Sequence, residues 1–303
     1  MPAAKIHRRG VMLAIIGFAM LSCGDAIIKT MTGEWPIPAV AALRFAIAVP
    51  FLTAIVAYAG PGQPLRIPQL TGTWWHVARG AAIASASALF FYSLTLMPLA
   101  AATSIAFAQP VITAILSAIL LKEPLHPRGW LAVLCGMAGV LIVLKPNLAA
   151  LGALALVPLA AAFCMSCLFL LNRHMAGRAP SSVLQWSLAL CATPILVGVA
   201  LVGHFSGAPG LAIGWPDWTI IARCAFAAFT ATSCHWLIFL GTARASAAAV
   251  APATYAQLPV ALALDALLFG NYPDVTALAG GLLIIAAGIL LLSAPVCVAR
   301  AVA

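Results

Sequence analysis

The chain has 303 residues, of which 64% are hydrophobic and only 7% charged, with a mean hydropathy of +1.12. A soluble domain is about 25% charged, so 15 Lys+Arg and 6 Asp+Glu are too few to cover a water-facing surface, and lipid is the expected solvent. The net charge of +9 is carried by single basic residues spread between apolar runs, which reads as membrane topology and argues against a nucleic-acid partner.

A bilayer core takes about 20 apolar residues per helix. Runs of that size fall near 11–32, 37–58, 74–97, 99–121, 128–145, 149–172, 182–204, 218–242, 248–269 and 274–295. They lack the alternation of barrel strands, so the prediction is an all-α membrane protein with ten transmembrane helices. The first run is longer than the about 7–15 apolar residues of a signal peptide and carries Asp25 and Lys29, so it is expected to remain as a span. Breakers punctuate the connections, among them Gly33 to Pro36, Glu123 to Pro127, Gly177 to Pro180 and Gly270 to Pro273. The eight cysteines lie almost all inside apolar runs and read as small buried hydrophobes. Cys164 and Cys167 have a C-x-x-C spacing with no second pair, so no metal site or cofactor is expected.

With a cytoplasmic N-terminus, eleven of the 15 Lys+Arg fall at inside ends and loops, three (Lys29, Lys145, Arg223) fall outside, and Arg44 lies within a span. That bias in short loops predicts an inner-membrane, multi-pass protein with both termini in the cytoplasm. It also requires an even number of spans.

The two halves resemble each other. A shift of 144 pairs Ser22-Cys23 with Ser166-Cys167, Lys29 with Arg173, Gly33 with Gly177, Pro36 with Pro180 and Pro50 with Pro194. From Phe90 a shift of 149 pairs Pro110 with Pro259, Pro124 with Pro273, Gly139 with Gly288 and Pro146 with Pro295. Coincident Pro and Gly weigh more than coincident Ala or Leu, because both set the backbone. The predicted organisation is two repeats, 1–147 and 148–303. Five spans each is an odd number, so the second repeat enters the membrane inverted, an architecture of secondary transporters that work by alternating access.

The run Pro38 to Ala48 and the segment from Pro98 to Pro146, with Pro110, Lys122-Glu123-Pro124 and Lys145-Pro146, resemble the drug/metabolite transporter superfamily, EamA type. The resemblance covers nearly the whole chain and implies an inner-membrane carrier of small organic solutes. Ser22-Cys23-Gly24-Asp25 replaces the aromatic-Gly pattern common in the first span of that family.

Ionisable residues inside spans are costly and mark function by default. Asp25, Lys29 four residues on, and Arg44 at similar depth are expected to form one polar cluster on a central cavity. Lys29 or Arg44 would take a substrate carboxylate, and Asp25 an ammonium or a transported proton. A structural ion pair is the bland alternative. His235 is a second proton-coupling candidate, with Trp186 a candidate cavity wall. Gln109, Gln185, Tyr255 and Gln257 are polar in-span residues whose ordinary role is interhelical hydrogen bonding, but Gln109 and Gln257 adjoin Pro110 and Pro259. Those prolines are expected to kink spans four and nine and to act as hinges. Arg79 reads as an interfacial anchor, Asp265 with Arg223 as an interfacial pair, and the small-residue runs as close helix contacts.

The expectation is a secondary transporter, not an enzyme, that moves a small organic metabolite. Export of an amino acid or related solute is favoured, a proton is a candidate driving ion, and the protein is expected as a monomer or homodimer. The alternatives are an importer of a cofactor-like or nucleoside-like metabolite and, from another class, an intramembrane enzyme. The enzyme lacks H-E-x-x-H or a matched nucleophile and base, and a pump would need a phosphate loop that the sequence does not have.

Overall fold

The computed structural model describes residues 2–31, 33–58, 72–96, 102, 105–122, 125–144, 152–269 and 275–293. Of Lys29 and Asp265 only the backbone is described, and Thr103, Ser104, Glu123 and Pro124 lie outside the described residues. The described chain is helical. In lipid each backbone amide must be satisfied internally, and a helix does so within one segment.

Among the described residues ten α-helices of eight or more residues follow in order: α1 Pro2–Lys29, α2 Ile37–Ala57, α3 Thr73–Leu96, α4 Gln109–Leu116, α5 Pro127–Leu144, α6 Leu156–Met175, α7 Ser181–Phe205, α8 Trp218–Arg244, α9 Gln257–Phe269 and α10 Val275–Ser293. A π-turn, Ser117–Leu121, extends α4 and ends on Lys122 in the left-handed region (φ 55°). A one-turn helix Ala247–Val250, capped by the Ser246 hydroxyl, and a 3-10 segment Ala251–Ala256 lead into α9. Among the described residues six helices are long and apolar enough to cross a membrane, and three shorter apolar helices lie at Gln109–Leu121, Pro127–Ile142 and Leu278–Leu290. Large apolar side chains such as Val202, Phe229 and Leu282 face outward, which suits lipid and not water.

Turn chemistry explains two reversals. Gly33 (φ 88°) and Gly177 (φ 82°) adopt the left-handed conformation open to glycine. Three residues later Pro36 and Pro180 stand at the N-caps of α2 and α7. The two internal prolines placed by the shift of 144, Pro50 and Pro194, lie inside α2 and α7.

Pro110 and Pro259 are placed differently from expectation. Instead of kinking a continuous span, each sits in the first turn of a helix, Pro110 after a turn at Phe107–Ala108 and Pro259 after the 3-10 segment. A first-turn residue has no amide partner to lose, so proline starts these helices and the break lies before it.

Helix α1 runs along α8, α3 along α6, α2 along α7 and α5 along α10; α3 also packs on α7, α2 on α8, α4 on α6 and α1 on α9. The α1–α8 contact is the most extensive. Gly10, Gly17 and Gly24 are seven residues apart, and a Cβ at these positions would meet the Gly241 carbonyl at 2.8 Å, the Cys234 carbonyl at 3.1 Å and the Thr230 hydroxyl, respectively. A seven-residue repeat keeps one face of each helix on its partner through a left-handed crossing. Two apolar clusters flank the centre, one around Phe18, Phe169 and Ile238, the other around Phe45, Leu52, Ile83 and Leu196.

Candidate functional site

Between α2, α7 and α8 lies a narrow, open-sided cleft. Helical spacing builds its walls. Ala228, Ala231, Thr232 and His235 form an i, i+3, i+4, i+7 stripe on α8, and Gln185, Leu188 and Ala189 a matching stripe on α7. Arg44, Phe45, Ala48 and Leu52 of α2 complete the lining.

Polar groups converge at one side of this mostly apolar space. Arg44 is only 8% exposed and its Nε has no hydrogen-bond partner. The guanidinium carbon is 5.4 Å from the Phe45 ring centroid, and the charge interacts through space with Asp25. His235 is 7% exposed, and its backbone carbonyl accepts a hydrogen bond from Gln185 Nε2 at 3.3 Å. A desolvated guanidinium with a free donor costs free energy unless something accepts from it. A solute that presents an acceptor to Arg44 supplies what the protein does not.

Of the sequence candidates, the structure brings Arg44 and His235 to the cleft and Asp25 within electrostatic reach of Arg44. Asp25 itself is exposed on α1 near its Lys29 end. Trp186 does not line the cleft: it is buried in the apolar cluster, and its Nε1 donates to Thr53 Oγ1 at 2.9 Å. Tyr255 packs edge-on against Phe107 with centroids 5.9 Å apart, and its hydroxyl is buried without a partner. Gln257 is half-buried, and its carbonyl accepts from Ser22 Oγ at 3.0 Å.

Gln109 is engaged within the protein. Its Nε2 donates to Thr113 Oγ1 at 3.0 Å, its Oε1 accepts from Thr254 Oγ1 at 2.9 Å, and its carbonyl accepts from Ser166 Oγ at 3.1 Å. It ties α4 to α6 and to the 3-10 segment before α9. Gln109→Leu should therefore lower the melting temperature of the solubilised protein, because Thr254 loses its buried acceptor at a cost of about 1–3 kcal/mol. Substrate KM should stay within twofold of wild type; a large KM change at normal stability would put Gln109 in the site.

One expectation is corrected. Arg79 is no interfacial anchor: it is 0% exposed, enclosed by α6, α7 and α8. Arg223 pairs with Glu34, Nη2 to Oε2 at 2.9 Å, because the turn after α1 folds over the start of α8; the expected partner Asp265 has its side chain outside the described residues. Gln185, Thr232 and Phe45 also line the cleft without standing out as site residues in the sequence. The signal for Thr232 was its i, i+3 spacing to His235.

Comparison with known proteins bears on this architecture. Residues 8–145 match the EamA-like transporter family. A riboflavin transporter of Rhizobium johnstonii is 25% identical over 93% of this chain and 89% of its own length. An S-adenosylmethionine uptake transporter of Rickettsia prowazekii is 21% identical over 94% of this chain and 92% of its own. One solved protein structure superposes with a TM-score of 0.77 at 20% identity, covering 93% of this chain and 96% of that one, which shows that the fold is shared. The EamA-like match and the near-full-length likeness to named transporters indicate a transporter and not an intramembrane enzyme. Over residues 8–145 the chain carries an EamA-like transporter domain, and it is a multi-pass membrane protein that carries small metabolites.

Proposed function

We propose that the protein takes up a cofactor-like metabolite across the cytoplasmic membrane, binding it in the α2/α7/α8 cleft and opening that cleft to each side in turn. The observation that carries this reading is Arg44, a buried cation with a free donor on a cleft walled largely by apolar residues such as Phe45, Ala48, Leu52 and Leu188. Such a wall suits a solute with an apolar body and one strongly accepting edge or carboxylate. Arg44 anchors that group, Gln185 and His235 border it, and Asp25 offsets the guanidinium charge or exchanges a proton. Relatives named as a riboflavin transporter and as an S-adenosylmethionine uptake transporter favour import of a cofactor-like solute over the export of amino acids expected from sequence.

The helix pairing supports two inverted repeats, 1–147 and 148–303. Adding or subtracting five turns α1 on α8 into α6 on α3, α3 on α7 into α8 on α2, and α4 on α6 into α9 on α1, while α2 on α7 and α5 on α10 map onto themselves. The non-α breaks before Pro110 and Pro259 fall at corresponding places, and they are the pivots in this reading. The Lys+Arg bias puts both termini in the cytoplasm.

The test is uptake of labelled riboflavin, S-adenosylmethionine and a neutral amino acid by bacterial cells that lack their own systems and express this protein. Saturable accumulation of one of the cofactor-like solutes is expected. Accumulation of neither, or accelerated efflux of preloaded amino acid, overturns the proposal. Asp25→Asn should retain exchange at equal pH on both sides but lose the acceleration of net uptake by an inward proton gradient. Unchanged acceleration removes Asp25 from coupling.

A further inference from the structure

Below the cleft, at the end where α3 and α7 begin, a second arginine has no part in the site just described. Arg79 of α3 is 0% exposed. Its Nε donates to Asn172 Oδ1 of α6 at 2.9 Å, its Nη1 donates to the Leu184 carbonyl of α7 at 2.8 Å, and its guanidinium carbon lies 5.8 Å from the Phe239 ring centroid of α8. Nη2 is buried without a partner. One side chain on one helix therefore holds three others. Around it, His76 Nδ1 of α3 and Ser187 Oγ of α7 are 2.7 Å apart, Arg173 Nη1 of α6 donates to the Thr242 carbonyl of α8 at 3.1 Å, and the Trp75 and His174 rings of α3 and α6 stand 4.4 Å apart. Leu184 is the residue before Gln185, which lines the cleft. The Arg79 layer thus closes the cleft from this side.

The repeat shift of 144 carries Arg79 onto Arg223, just as it carries Trp74 onto Trp218. Arg223 stands on α8, the counterpart of α3, and its Nη1 donates to the carbonyl and the hydroxyl oxygen of Thr30 at 3.3 and 3.4 Å. Thr30 follows α1, the counterpart of α6, so each arginine reaches the same partner element at its own end of the protein. The two differ in burial. Arg79 is enclosed and bonded to both α6 and α7, whereas Arg223 is 28% exposed, ion-paired to Glu34 at 2.9 Å and, among the described residues, not bonded to α2, the counterpart of α7, so its end is the unsealed one in this conformation.

We propose that Arg79 and Arg223 are the two gate residues of the transport cycle: Arg79 seals the end where α3 and α7 begin, Arg223 the opposite end, and the seals form and break in alternation. The proposal rests on the alternating-access reading above, and it describes this conformation as sealed at the Arg79 end. The chemistry suits a seal that has to open. The partners of Arg79 are an amide oxygen, a carbonyl and an aromatic face, none of them charged. Closing desolvates the cation and gives it two charge-assisted hydrogen bonds in exchange; opening returns it to water. Two states balanced in this way are close in free energy, which a full carboxylate partner in a dry site would prevent.

The test reads access and needs no knowledge of the substrate. In a cysteine-free chain carrying Leu184→Cys, a membrane-impermeant maleimide is applied to the Arg79 side in oriented vesicles. Arg79→Gln should raise the labelling rate about tenfold, a shift of about 1.4 kcal/mol, and Asn172→Ala should raise it several-fold. Arg223→Gln, which weakens the opposite seal, should lower it several-fold. If Arg79→Gln does not accumulate in the membrane, Asn172→Ala and Arg223→Gln still decide the matter. Labelling unchanged by Asn172→Ala, or raised by Arg223→Gln, overturns the gate assignment. The expected labelling pattern in a protein that exchanges no metabolite keeps the gates and refutes the transport reading, so the two failures are distinct.

Discussion

Arg44→Gln should reduce uptake by about 10- to 100-fold while the protein still inserts and accumulates. A hydrogen bond to a charged group is worth about 1.5–3 kcal/mol, which is the size of that loss if the guanidinium meets the solute in the cleft. Stability should move the other way. Arg44 is 8% exposed with an unpartnered Nε, and replacing such a group by an apolar one removes a buried polar atom that the fold does not use. Arg44→Leu should therefore melt at or above the wild-type temperature. The comparison is made with Asp25→Asn in the background, so that the carboxylate that interacts with Arg44 is not left without its counter-charge. Arg44→Lys keeps the charge but not the planar fork, so it should recover only a minor part of the uptake. Lower stability in Arg44→Leu with uptake intact would return Arg44 to the structural ion pair that was the bland alternative. Uptake rates beside the thermal stability of the solubilised variants distinguish the two.

The second large effect belongs to the α1–α8 seam. A Cβ at Gly10 would meet the Gly241 carbonyl at 2.8 Å, and one at Gly241 would meet the Gly10 carbonyl at the same distance. These are backbone atoms and cannot rotate away. Each helix would have to move, and overpacking of this kind costs about 1–3 kcal/mol even for small additions. Gly241→Leu and Gly10→Leu should leave little folded protein in the membrane. Gly198→Ala and Gly288→Ala, with nothing within 4 Å of the added methyl, should accumulate normally and gain slightly from helix propensity. Detergent-solubilised yield and melting temperature read both outcomes. Equal yields in all four variants would mean that close approach of α1 and α8 is not needed.

Much of this fold is legible in the sequence because lipid imposes simple rules. Apolar length gives the spans, and Gly33 with Pro36 and Gly177 with Pro180 give the reversals after α1 and α6. Arg44 and His235 stood out because charge and imidazole inside apolar runs need a reason. What escaped the sequence depends on pairing between distant segments. Arg79 lies near a span end, where basic residues commonly anchor the interface. Its burial follows only once Asn172 and Leu184, 93 and 105 positions away, close around it. Gln109 looked like a binding group beside a proline, and its partner Thr254, 145 positions on, makes it a structural link. Pro110 was misjudged for a local reason: a proline inside an apolar run reads as a kink, while the turn that precedes it leaves no strong mark among Ile105, Ala106, Phe107 and Ala108.

Counterflow in proteoliposomes isolates the cleft from cell metabolism. Purified protein is reconstituted with riboflavin or S-adenosylmethionine inside, the same labelled solute is added outside, and wild type is run beside Arg44→Gln. Transient, saturable accumulation of label by the wild type, reduced at least tenfold in Arg44→Gln, is the outcome that a cleft carrier anchored on Arg44 requires. Accumulation that Arg44→Gln leaves unchanged, or no exchange of either solute by the wild type, would contradict it.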